Sequence, residues 1–354
     1  MKISPLVTLP ALTLTAAALA QPIAITNAGF ELPVLADNGY VFGAPSWTGF
    51  GTCGVYNPWV AAVPTEAPEG ANVGFLSCCF GPSPNSGSLS QALATNYAAD
   101  TTYTLTVQSG RRLDDPGNLA QYRFVAAASS TVVASKTFTT VPTRGTFRTD
   151  TMEWNVFSGD AVVGRPITLR LQHVSGPGQL LVDDVQLSSA ALCVAVRTQP
   201  VAAPAACPTE VSEVACTVGG TGPFTFTWEY ENPANTWNAM TSGGPGPGGT
   251  STVSFVTSNG GKTSTLRIFS FKAADDKNYR CSITTTCGDS DVTTSTNFTF
   301  CPPDFACDGF IDFADYLDFI LAFERGNPSA DYNSDSIIDF FDLTDFLDAF
   351  IEGC

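Results

Sequence analysis

Polar and apolar residues alternate with a period of two through residues 102–108 (TYTLTVQ), and the rhythm returns at 121–127, 131–139, 147–157, 167–174 and 180–187. Successive side chains of a strand point to opposite faces, so this pattern predicts antiparallel strands with one buried face. A second set of runs, at 211–218, 224–230, 252–257, 263–269, 278–286 and 292–300, is rich in Val, Thr, Phe and Ile and is broken by turn residues such as GGPGPGG at 243–249. Between the two sets, 190–208 is poor in charge and rich in Ala and Pro, the composition of a linker. Only near the end does the period change. FADYLDFILAF and FDLTDFLDAF set Phe, Tyr, Leu and Ile at helical spacing with Asp on the other face. The chain therefore reads as mainly β, divided into a sandwich at 21–190, a linker at 191–206, a second sandwich at 207–300 and a small helical tail at 301–354.

The tail contains one acidic 20-residue unit twice, at 304–323 and 331–350, offset by 27 with ten identities. The second copy puts Asp331, Asn333, Asp335, Asp339 and Asp342 at positions 1, 3, 5, 9 and 12, with the Ile337 carbonyl at position 7. A hard cation takes about six to eight oxygens, and this is the spacing of an EF-hand-type loop. The first copy offers Asp304, Asp308, the Phe310 carbonyl, Asp312 and Asp315, but Ala306 at position 3 leaves one ligand missing. The first loop is expected to bind calcium more weakly.

A loop-helix repeat with Asp at position 12 and a Gly353-Cys354 ending resembles the C-terminal dockerins of secreted proteins. That resemblance implies two packed helices, Ca2+ as the bound ion and a cohesin-like or envelope partner. It also implies chain ends that meet, and hence a Cys301–Cys354 disulfide. The residues before position 12 (Phe313 and Ala314, Phe340 and Phe341) differ from the small hydroxyl residues common there, so the partner's identity does not carry over.

Charge sharpens this picture. Residues 301–354 hold 13 acidic side chains against the single Arg325, a net of −12 out of the chain's −17. Such local acidity argues against nucleic-acid binding and makes folding of the tail depend on cations. At the other end, Lys2 precedes an apolar run that closes on Ala18-Leu19-Ala20, the pattern of a signal peptide cleaved before Gln21. The run is shorter than the roughly 20 residues a bilayer needs, and no second such stretch follows, so no membrane span is expected after cleavage. A secreted or cell-surface location also accounts for 11 cysteines.

In the second sandwich Cys216, Trp228 and Cys281 stand in order, with Tyr279 two residues before the second Cys and Asp275 and Asp276 just upstream. These residues resemble bacterial extracellular immunoglobulin-like modules, which implies a Cys216–Cys281 disulfide and a tyrosine corner at Tyr279. Cys207 and Cys287 form a further expected pair, stapling the first strand to a late turn.

The first sandwich opens with ITNAGFELP (25–33), passes through GVYNP, EGANVGFL and GSLSQAL, and closes with LLVDDVQL (180–187). Together these motifs resemble the jelly-roll sandwiches of galactose-binding-like carbohydrate modules and of the hapalindole-type cyclase-like family. The resemblance implies a structural calcium between Glu31 and Asp183, with Asp184 as the alternative. Trp47, Phe50, Tyr56 and Trp59 lie among Gly and Pro and offer faces for a carbohydrate or other apolar ligand, although at least two are expected to fill the core. Nearby, Cys53 is expected to pair with Cys78 or Cys79.

No Ser-His-Asp or Cys-His set is legible, and the single His173 reads as a packing residue in a strand. The cyclases of the resembling family use a carboxylic acid against an apolar indole, a role open here to Asp183 or Asp184 near Tyr103 and Tyr122. The expected function is a calcium-binding, displayed, ligand-binding protein without catalytic residues. The alternatives are a calcium-dependent cyclase or lyase in the first sandwich and a purely structural surface protein.

Overall fold

The computed structural model describes residues 20–77, 86–201, 211–249, 251–271, 275–298, 301–306, 308–333, 335 and 337–353. Residues 1–19 of the expected signal peptide, together with Cys78, Cys79, Cys207, Cys307 and Cys354, lie outside them. The chain divides into two units that meet at Leu192 and Cys193.

In the first unit the alternation is realised as twelve strands: β1 (Gln21–Ile23), β2 (Tyr40–Phe42), β3 (Thr48–Phe50), β4 (Thr52–Tyr56), β5 (Val73–Ser77), β6 (Ser88–Asn96), β7 (Thr101–Gly110), β8 (Gln121–Ala128), β9 (Thr131–Phe138), β10 (Phe147–Val156), β11 (Pro166–Ser175) and β12 (Leu180–Ala191). One antiparallel sheet runs β10-β7-β12-β5-β4-β2, with β1 also on β12, and the other runs β3-β6-β11-β8-β9. Tyr103, Leu105 and Val107 of β7 face Tyr122, Phe124 and Ala126 of β8 and Leu169 and Leu171 of β11 across one core. Along most of β7 and β11 every second residue is buried because both sheets must cover one apolar face, whereas β8 is buried continuously from Phe124 to Ala128.

The opening motif is a turn rather than a strand. The Asn27 side chain accepts from Leu32 N and donates to the Leu32 and Pro45 carbonyls, closing the loop. Phe30 takes a left-handed φ of 57° and stacks on Trp47 at 5.4 Å. Its ring lies so close to Gly74 that a Cβ there would sit 3.0 Å from it, which fixes glycine at that point of β5.

The second unit begins earlier than the composition suggests. β13 (Ala195–Thr198) falls inside the stretch expected as a linker and pairs with β14 (Val211–Gly219). With β15 (Phe224–Glu231), β16 (Trp237–Ala239), β17 (Thr252–Ser258), β18 (Thr263–Phe269), β19 (Asn278–Thr285), β20 (Ser290–Val292) and β21 (Thr296–Asn297), it builds sheets β13-β14-β18-β17 and β16-β15-β19-β20, β21 also pairing β19. The final run expected at 292–300 is thus two short strands.

Because β13 joins the sheet, Cys193 reaches the turn after β19 and pairs with Cys287 at a Cα separation of 6.2 Å. This corrects the Cys207–Cys287 expectation. Cys216 and Cys281 are both buried in the core with Trp228 as free thiols, where a disulfide was expected. Tyr279 donates to the Asp275 carbonyl, and Trp228 Nε1 donates to Ser264 Oγ at 2.9 Å.

The tail forms α1 (Phe313–Glu324) and α2 (Phe340–Glu352), packed through Phe319 and Phe346, whose rings stack at 4.0 Å. No helix among the described residues is long and apolar enough to cross a membrane.

Candidate functional site

The outer face of the larger sheet of the first sandwich carries an aromatic groove. Alternation turns Val41, Cys53, Val55 and Leu76 into the core, and therefore Tyr40, Phe42, Thr52, Tyr56, Phe75 and Ser77 outward. Phe42 pairs with Gly54 in the ladder, and a Cβ on Gly54 would lie 2.7 Å from the Phe75 ring. Only glycine lets Phe75 lie across β4 toward Phe42. Phe42 then meets Phe75 edge-on at 6.1 Å and Tyr40 at 5.8 Å. The hollow measures about 290 Å³ and is closed by Arg112 and Gln179. A second hollow of about 230 Å³, lined by Asp114, Asp115, Pro116 and Pro177, continues it past Ser77, Arg112 and Gln179. Tyr40 and Phe42 are 65% and 48% exposed, large apolar surface that a soluble sheet face does not usually display.

Arg112 forms the polar wall. Its guanidinium lies 4.8 Å over the Tyr56 ring and binds Asp114 through two hydrogen bonds of 2.9 and 2.7 Å. These bonds hold the Asp114 carboxyl below the usual carboxylate range, so it is an anion at neutral pH and gives no proton. Burial raises the Tyr56 phenol, whose hydroxyl donates to Asn38 Oδ1 at 3.1 Å.

A separate cluster of acids sits at the start of β12's bulge. Asp184 has a left-handed φ of 43°, and the register against β7 slips between Asp183 and Gln186. The bulge leaves Asp183 fully buried on the same side of the sheet as Leu181, where its carboxylate accepts from Glu69 N at 2.9 Å and from Asp184 N at 2.7 Å. Burial, with the negative charges of Glu69 and Asp184, pushes the Asp183 pKa up to about 8 in spite of those bonds. Glu31 reaches the same segment and accepts from Ala71 N and Asn72 N. Gly29 leaves room for the Glu69 carboxylate, which a Cβ there would strike at 1.3 Å. Glu31 and Asp183, the two acids singled out in the opening and closing motifs, thus both accept from the backbone of residues 69–72, and Glu69 is a third acid there that the sequence reading missed. The three do not all lie within 4.8 Å of one another; among the described residues only Cys193, Cys287 and Asp289 do, and there the two cysteines are bonded to each other.

The catalytic arrangement weighed from sequence does not form. Tyr103 and Tyr122 point into the core, and Tyr103 pairs with Ser189, well down β12 from the bulge. Asp184 instead accepts from Gln186 at 2.8 Å, and Tyr122 donates to Asp150. Of the four aromatics singled out, Trp47 and Tyr56 are buried, whereas Phe50 and Trp59 are exposed. Cys53 is a buried thiol. His173 is buried with Nε2 3.1 Å from the Gly178 carbonyl, a packing residue that also braces the loop before β12. The short strands YVF and VGFLS carry the groove; their Tyr/Phe alternation was the available signal, too brief to separate from a loop.

In the tail, Asp304 accepts from Asp308 N and Gly309 N, while Asp331 and Asn333 accept from Asp335 N. Asp308 and Asp335 accept from Phe310 N and Ile337 N. Asp315 and Asp342, both fully buried, accept from loop amides of their own repeat and reach back to the N-cap residues Asp312 and Asp339. Each loop is therefore a ring of acids folded round its own backbone.

A family model described as HpiC1-like, HpiC1 cyclase, matches residues 21–188. Among solved structures, a Stig cyclase, Fisc, from Fischerella sp. TAU in complex with (3Z)-3-(1-methyl-2-pyrrolidinylidene)-3H-indole is 26% identical over 48% of this chain and 98% of its own, with a TM-score of 0.45. An apo cyclase from Fischerella sp. is 25% identical over 49% and 97%, with a TM-score of 0.45. A Fischerella sp. TAU cyclase in complex with 4-(1H-indol-3-yl)butan-2-one is 26% identical over 48% and 98%, with a TM-score of 0.44. No curated protein sequence matches this chain. Residues 21–188, which comprise the aromatic groove and the acids around Asp183, are the part of the chain that is similar to the HpiC1-like cyclase family.

Proposed function

We propose that this domain takes a small, flat, mostly apolar molecule into the groove between Phe42, Phe75 and Arg112 and carries out a ring-forming or ring-opening isomerisation of the cyclase or lyase type. The observation that carries the reading is the open aromatic groove on the domain that matches the cyclase family. Aromatic edges and faces there bind a flat ring, remove water from it and fix its orientation, which is how a folded ligand reaches a reactive geometry. Asp183 and Glu31, with Glu69, are the acids that a structural calcium would draw together: an anion buried among like charges is costly until a cation joins it. Calcium there would supply charge neutralisation and hold 69–72 against the bulge. We also infer that the second sandwich is an immunoglobulin-like spacer and that the tail is a dockerin-like pair of calcium loops serving display outside the cell. The acids and caps of 304–315 and 331–342 support that reading.

A second reading, ligand binding without turnover, is favoured by one feature: Asp114, a carboxylate beside the groove, is tied to Arg112 and cannot act as an acid. Both readings share the site. Calorimetric titration of the full chain with 4-(1H-indol-3-yl)butan-2-one is the binding test, and Phe42→Ala and Phe75→Ala are each expected to weaken it roughly tenfold, about 1.4 kcal/mol. Turnover of candidate flat, unsaturated ligands would appear as isomers of unchanged mass. Unchanged affinity in both variants would remove the groove from the account.

A further inference from the structure

Gln179 closes one end of the groove, and its side-chain amide is half used. Nε2 donates to Ser77 Oγ at 3.0 Å, while Oε1 is buried with no hydrogen-bond partner among the described residues. Buried acceptors are rarely left so, and this one belongs to a residue that lines the hollow, so a small turn of the amide that brings the oxygen to the groove would let a ligand supply the missing donor. Its position is fixed from behind. Gln179 N donates to Asp115 Oδ2 at 2.7 Å, and the neighbouring Gly178 carbonyl is held by buried His173 at 3.1 Å. Gly178 and Gly117 interlock so closely that a Cβ on either would fall within 2.6 Å of the opposite backbone. A glutamine at a loop end is ordinarily free to swing; here the main chain is held and the side chain is tethered by one hydrogen bond, which leaves its amide a small turn only.

Resting on the groove reading above, we propose that Gln179 is the specificity-determining polar residue of the site. Its amide oxygen accepts one hydrogen bond from an N–H or O–H at the edge of a flat, uncharged ligand whose ring lies against Phe42 and Phe75. Arg112 does not recruit an anionic ligand instead, because Asp114 already occupies its fork. The site therefore selects a neutral donor and not an anion.

Two probes test this on the full chain: 4-(1H-indol-3-yl)butan-2-one and the same compound methylated on the ring nitrogen. The wild type is expected to bind the N–H compound at least tenfold more tightly, since an unmatched buried acceptor costs about 1–3 kcal/mol. Gln179→Leu, of similar length, should lose that preference by weakening only the N–H compound, whereas Gln179→Glu, which keeps an acceptor, should retain it. Ser77→Ala, which frees the amide without touching its oxygen, should lower the preference several-fold and guards against a leucine variant that misfolds. Equal wild-type affinity for both probes, with Phe42→Ala still weakening both, overturns the Gln179 assignment and leaves the groove reading standing. Wild type that binds neither probe sinks both.

Discussion

The two sandwiches use polar side chains in opposite ways. In the second, the large buried groups serve the fold: Trp228 donates to Ser264, Tyr279 to the Asp275 carbonyl, and Thr293 Oγ1 accepts from Cys281 N. In the first, Gln179 Oε1 lacks a partner and Asp183 is surrounded by charges of its own sign. Both are antiparallel two-sheet structures with one apolar core, so architecture does not separate them. What separates them is incompleteness. At these two places of the first sandwich the chain does not complete its own polar groups, and there a ligand or an ion would complete them.

The largest effect expected from this contrast is on the structural side. Trp228→Ala removes a fully buried side chain at the centre of the second core and should cost about 3–5 kcal/mol in denaturant unfolding of that unit. Probe affinity in the first sandwich should stay within error. A parallel loss of binding would show that the two units are not independent in function.

Next comes the ion. With calcium at about 100 times its dissociation constant, a site present only in the folded state adds about 2.7 kcal/mol, roughly 5 °C or more of melting temperature for a domain of this size. Chelation should remove that increment, and Asp183→Asn should abolish the response; because the amide NH2 would face one of the two backbone N–H groups that the carboxylate accepts from, the chelated variant should also be somewhat less stable than the chelated wild type. In the tail, Asp331→Ala should cost more calcium affinity than Asp304→Ala, since Asn333 completes the second loop where Ala306 does not. A first unit whose melting ignores both calcium and chelator would end the case for the site at Glu31, Glu69 and Asp183.

The smallest effect is a proton. Burial lowers the His173 pKa below its ordinary value near 6.5, so the unfolded chain binds a proton that the folded chain refuses. Stability should therefore fall as pH drops below about 6.5, by at most about 1.4 kcal/mol per pH unit, and His173→Asn should flatten that part of the curve. Identical slopes in the two proteins would mean that the loop holding Gln179 opens readily enough to protonate the ring.

Legibility followed element length. Six long strands of the first sandwich and the Cys216-Trp228-Cys281 frame of the second are periodic enough to read, and NAGFE and LLVDDVQL pointed to the two acids that the structure places on 69–72. The tail's two helices and their Asp caps follow directly from the repeat. The groove was not legible, because its aromatics come from three- and five-residue strands whose pairing is set by tertiary contacts such as Phe75 lying over Gly54. Gln179 sits in a Ser-Gly-Pro-Gly turn, where sequence alone predicts only a bend. Cys193 escaped for a similar reason: an Ala- and Pro-rich composition conceals β13, a strand that exists because β14 offers it an edge.

The most direct test of the central claim is a crystal structure of the full chain with 4-(1H-indol-3-yl)butan-2-one. The account predicts the ring against Phe42 and Phe75, below the Arg112–Asp114 pair, with its N–H within hydrogen-bond distance of Gln179 Oε1. A probe bound elsewhere at full occupancy, with Tyr40, Phe42 and Phe75 unchanged and only solvent between them, would contradict it.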